Sequence, residues 1–135
     1  MTQATDSDLC PCGCDSGEPE AWETASRDPA ETRVARGIAW VRDNAPTLGW
    51  GSPEDISLGR LDLTSPNHCA LAQVARMDYF DAIQTANYRL DDDTITSGFW
   101  AIAHGFDYHM CDDRNGTATD HAWREALAPP APQVA

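Results

Sequence analysis

The stretch Asp28-Pro29-Ala30-Glu31-Thr32-Arg33-Val34-Ala35-Arg36-Gly37-Ile38-Ala39-Trp40-Val41 decides the class of fold. An acid, a proline and then a glutamate form a helix start: Asp28 as N-cap, Pro29 at the first helical position and Glu31 two residues later, where its charge favours the dipole. Val34, Ile38 and Val41 then recur at i, i+4 and i+7, one apolar stripe, while Arg33, Arg36 and Asp43 fall off it. Asn44-Ala45-Pro46 is the expected end, because proline brings no N–H to continue the ladder.

The same grammar repeats downstream. Ser52-Pro53-Glu54-Asp55 opens a short turn through Leu58, and Ser65-Pro66-Asn67-His68 opens a helix across Cys69, Leu71, Val74 and Ala75. A further helix is predicted from about Asp78, with Tyr79, Phe80 and Ile83 as its apolar side. Thr94 is positioned to cap a helix carrying Phe99, Ile102 and Ala103, with Gly105 as a left-handed stop and Phe106 packing back. Thr117-Ala118-Thr119-Asp120 reads as a capping box before His121 to Ala128, with Trp123 and Leu127 inward. No run alternates apolar and polar residues long enough for a strand. The predicted fold is therefore mainly α: a small bundle of five to six short helices with ordered loops and flexible termini.

Three regions follow. Residues 1–28 hold seven carboxylates against a single base, Arg27, with Leu9 and Trp22 as the large apolar residues, a balance that predicts an acidic, cysteine-containing flexible tail. Residues 29–128 form the helical domain, and residues 129–135, with three prolines, a disordered C-terminus.

The totals narrow the partners. The chain has 135 residues, 22 acids and nine bases, for a formal charge of −13. Such a field repels phosphate backbones and anionic lipid, so neither direct nucleic-acid binding nor membrane binding is expected, whereas a protein with a basic surface would suit it. No stretch approaches the ~18 consecutive apolar residues of a membrane span, and the first nine residues carry no signal-peptide pattern, which predicts a cytoplasmic location.

Two clusters could carry chemistry. Cys10-Pro11-Cys12-Gly13-Cys14 places three thiols at alternate positions, a soft ligand set for zinc that needs a fourth donor from the body, among Cys69, His104, His109 and Cys111. His104 to Asp113 gathers two His, a Cys and three Asp, yet lacks the His-Glu-x-x-His spacing, and an EF-hand loop with Gly116 as its central glycine would need Asp at 111 and Glu at 122, where Cys and Ala stand. The candidate metal ligands are thus Cys10, Cys12, Cys14, His109 and Cys111, and zinc is the one cofactor to consider. Cys69 at a helix start could be a nucleophile, but His68 beside it points about 100° away, and the apolar stripe makes Cys69 a buried small hydrophobe instead. No Gly-x-Ser-x-Gly elbow, phosphate loop or Gly-x-Gly-x-x-Gly occurs.

Gly37-Ile-Ala-Trp-Val-Arg-Asp-Asn44, Leu61-Asp-Leu-Thr-Ser-Pro-Asn-His-Cys-Ala-Leu-Ala-Gln73, Gly105-Phe-Asp107 and Ala122-Trp-Arg-Glu125 resemble a group of small proteins of actinobacteria and their phages. The resemblance covers about residues 34 to 127, departs at Ala72 where a glycine is usual, and excludes the cysteine tail. It implies an actinobacterial or phage origin, in keeping with nine Arg and no Lys, and brings no established activity. The leading expectation is a non-enzymatic accessory protein that binds another protein; the alternatives are a small zinc protein using the Cys-Pro-Cys-Gly-Cys tail and a small enzyme with a Cys/His site.

Overall fold

The opening stripe folds as α1, Ala30–Leu48, and buries Val34, Gly37 and Val41 together with Ala45 and Leu48. The structure, a computed structural model, describes residues 22–109, 113 and 116–128. Four further helices follow: α2 Ala70–Ala75, α3 Tyr79–Leu90, α4 Gly98–Ala103 and α5 Thr117–Leu127, with 3₁₀ turns at Ala25–Arg27, Pro53–Asp55 and Asp93–Thr96. The fold is mainly α, and no strand occurs among the described residues. Among them, no helix is long and apolar enough to cross a membrane.

Both ends of α1 differ from the sequence reading. Pro29 is the N-cap, and Asp28 is withdrawn to other work: its carboxylate pairs with Arg36 at 2.7 Å while its carbonyl accepts from Arg33 Nε at 2.9 Å. The helix also runs through Pro46 to Gly49, which takes the left-handed conformation at φ 74°. A proline deletes one ladder bond, whereas Ala45 and Leu48 prolong the buried stripe by a whole turn, and burial outweighs the lost bond.

Downstream, Ser52 N–H donates to the Asp55 carboxylate at 2.9 Å and closes the expected turn. Ser65 to His68 form a turn rather than the first turn of a helix, and α2 begins only after Cys69. Asp78 caps α3 by accepting from Asp81 N–H at 2.9 Å. The α4 cap is Ser97, not Thr94, whose hydroxyl instead joins Asp92 and accepts from Trp22 Nε1. Gly105 at φ 72° stops α4 as predicted, and Phe106 folds back with its N–H on Ala101 O. The capping box expected at Thr117 is replaced by Asp113, whose two oxygens accept from Ala118 N and Thr119 N, each at 2.9 Å.

The core joins α1 to α4 and α5, with α3 packed on α2 and on the Asp93–Thr96 turn. Its largest pieces are Trp100, Trp123 and Phe106, and Trp123 Nε1 donates to Gly105 O at 2.6 Å. Residues 22–28, which composition assigned to the tail, are among those described, and Trp22 and Ser26 pack on this body. Trp22 sits edge-on to His104 at 4.7 Å, and Ser26 is buried. A single large ring with a hydrogen-bond donor outweighs the acidity of its neighbours. Residues 1–21 and 129–135 lie outside the described residues.

Candidate functional site

Of the decapeptide from His104 to Asp113, the described residues are His104 to His109 and Asp113, and their side chains have different partners. His104 enters the core, stacked on Trp100 at 4.3 Å, with Nδ1 on Trp100 O at 2.7 Å. Burial depresses its pKa to about 4, so it is a neutral ring at pH 7. His109 is buried too and meets Ser26 Oγ through Nε2 at 3.0 Å. Asp113 serves the α5 cap, where the Thr119 hydroxyl adds a third bond at 2.8 Å. Among the described residues, no group of three His, Cys, Asp or Glu side chains could hold a metal ion. Cys10, Cys12, Cys14 and Cys111 lie outside those residues.

Cys69 is 2% exposed, and burial pushes its thiol up to about 11, which removes the thiolate at neutral pH. His68 is exposed and bonded through Nδ1 to Ser65 Oγ at 3.0 Å. Neighbours in sequence, the two residues serve different surroundings.

Asp107 is only partly buried. It lines a cleft of about 230 Å³ between the Leu63–Cys69 segment, the start of α3 and the Phe106–Tyr108 turn. Tyr79, Phe80 and Tyr108 supply aromatic surface there. The Asp107 carboxyl accepts from its neighbour Tyr108 N–H at 2.8 Å, and the Tyr79 phenol lines the cleft beside it. Burial raises the pKa of Asp107 nonetheless, against the favourable effect of both groups. Burial raises the Tyr79 phenol too, reinforced by the Asp107 charge, so Tyr79 remains a donor.

Beside the cleft, α3 turns an aromatic face outward. Phe80 is 65% exposed and Tyr88 85%, whereas Ala82 and Ala86 form the buried side of the helix. The inward Phe80 expected from sequence is therefore reversed: small alanines let α3 lie close to the core, and Phe80 is left at the rim of the cleft. Phe80 and Tyr88 are eight residues apart, about 80° around the helix and about 12 Å along it, and so share one side. Their spacing at i and i+8, away from the Ala82/Ala86 stripe, is the signal that could have revealed them.

No protein-family model, curated protein or solved structure matches the chain.

Proposed function

We propose that this chain is a non-enzymatic accessory protein of an actinobacterium or one of its phages, acting in the cytoplasm by docking on a protein with a basic surface. The observation that carries the reading is the pair of exposed rings on α3, Phe80 and Tyr88, set among the exposed carboxylates Asp81, Asp91 and Asp93. Water solvates such rings poorly, and aromatic residues concentrate at the centres of protein interfaces. The formal charge of −13 favours a basic partner and disfavours phosphate backbones and anionic lipid. The buried Cys69 and the neutral His104 support binding over catalysis.

The test compares the wild-type chain with Phe80→Ser/Tyr88→Ser as bait in an actinobacterial extract. A basic protein retained by the wild type, released by salt and lost from the double variant supports the reading. Equal retention by both baits overturns it.

A zinc site remains the second reading, on one observation. Ser26, twelve residues after Cys14 in the sequence, meets the proposed body ligand His109 at 3.0 Å. Elemental analysis of the purified full chain decides it: one zinc per chain, lost in His109→Ala, supports the site, and no stoichiometric zinc removes it.

A further inference from the structure

The carboxylate of Asp107 carries an inference about what the cleft admits. Ionised side chains withdrawn from water are normally paired, because the cost of desolvation is several kcal/mol per charge before a partner repays it. This chain follows that rule elsewhere. Arg33, 6% exposed, donates to Asp28 O, Ile102 O and the Thr119 hydroxyl, and through that hydroxyl meets Asp113. Arg36 pairs with Asp28. Asp107 has a neutral donor instead, the Tyr108 N–H, with the Tyr79 phenol beside it, and among the described residues no cation acts on it.

Its surroundings add to the demand for positive charge. Asp62 and Asp113 act on Tyr108 together with Asp107, so three carboxylates bear on one aromatic wall. The ring faces of Tyr79, Phe80 and Tyr108 are themselves the negative side of an aromatic quadrupole. Size selects among cations. At about 230 Å³ the cleft falls below the ~300–1,000 Å³ of sites for whole cofactors and metabolites, yet it accepts a single long side chain.

We propose that this cleft receives a lysine or arginine side chain of a partner protein, with Asp107 as its counter-charge and Tyr79, Phe80 and Tyr108 as its aromatic walls. The proposal rests on the protein-docking reading above and names the chemistry that the partner must present. The aliphatic stem of the side chain would lie along the rings while its head reaches the carboxylate, a division of labour that long basic side chains make readily. The Tyr108 N–H, 2.8 Å from the carboxylate, holds it in place before the cation arrives, which reduces what must be ordered on binding.

The test is an amide chemical-shift titration of the full chain with blocked arginine and blocked lysine amides. Blocked citrulline amide serves as the neutral look-alike. Saturable shifts confined to the cleft, centred on Tyr79, Phe80, Asp107 and Tyr108, are expected with either cation and absent with citrulline. Phe80→Ala, at an exposed position, should weaken cation binding about tenfold, and Asp107→Asn by at least as much. Unlocalised shifts, equal response to citrulline or unchanged binding in Phe80→Ala would overturn the proposal, even where Asp107→Asn fails to fold. If the cations fail but the Phe80→Ser/Tyr88→Ser bait still loses its protein, the docking reading stands and the cationic pocket falls.

Discussion

Two aromatic regions of this chain are built from similar residues and come to opposite ends. Around His104, Trp22, Trp40, Trp100 and Phe106 pack edge-to-face and stacked, with ring centroids 4.3–6.5 Å apart, and Trp123 stacks on Phe106 at 6.0 Å. Around Asp107, Tyr79, Phe80 and Tyr108 line an open cleft, with Tyr88 further along α3. Each region holds a titratable group that burial pushes towards neutrality: His104 downward, Asp107 upward. The closed region satisfies its group internally, through the Trp100 carbonyl. The open one leaves its carboxylate a free approach. The closed region serves stability, and the open one is where we propose recognition.

The largest effect separating the two should come from Trp100→Ala. Removing a fully buried ring costs about 3–5 kcal/mol, enough to abolish most of the stability of a domain this size. Urea denaturation followed by far-UV circular dichroism measures it. Gly37→Ala should cost about 3 kcal/mol, because a β-carbon there would lie 1.9 Å from the His104 backbone carbonyl and α1 would have to lift from the α4 turn. A loss below ~1 kcal/mol would show that this contact is looser than described.

Acid should open the closed region. Because burial lowers the folded-state pKa of His104 from 6.5 to about 4, the stability of the neutral ring is complete above about 6.5 and lost as pH falls towards 4. Relative to His104→Phe, the wild type should lose about 2 kcal/mol between pH 7 and 4.5, read from urea midpoints at each pH. Asp107 works in the opposite direction: its raised folded-state pKa favours the folded state as acid protonates it, and the His104→Phe reference cancels that contribution. The smallest stability effect belongs to the open region. Phe80→Ser/Tyr88→Ser should stay within about 0.5 kcal/mol of the wild type, since both rings already face water.

Periodicity made the helices legible, and local chemistry settled their ends. Val34, Ile38 and Val41 announced α1, and Gly105 announced the end of α4. Pro46 misled because the pattern of apolar residues continued past it, and the proline rule weighs one hydrogen bond against nothing. Trp22 was hidden in acidic sequence because its value depends on His104 and Thr94, some eighty and seventy residues away. The cleft was less legible still. Asp107 sat within a cluster of apparent metal ligands, and only the structure shows that His104 stacks on Trp100, that Asp107 lines the cleft and that His109 meets Ser26. Phe80 looked like a core residue because a single sequence does not reveal that Ala82 and Ala86 bring α3 against the core.

The central claim is that the outward face of α3 is covered by another protein in the cell. Site-specific photo-crosslinking tests it most directly, with a benzophenone side chain at Tyr88 and a control at the exposed Glu125 on α5. The account predicts one discrete crosslinked protein from position 88, absent from position 125 and diminished by Phe80→Ser. Crosslinking at 88 that is absent, or no different from that at 125, would contradict it.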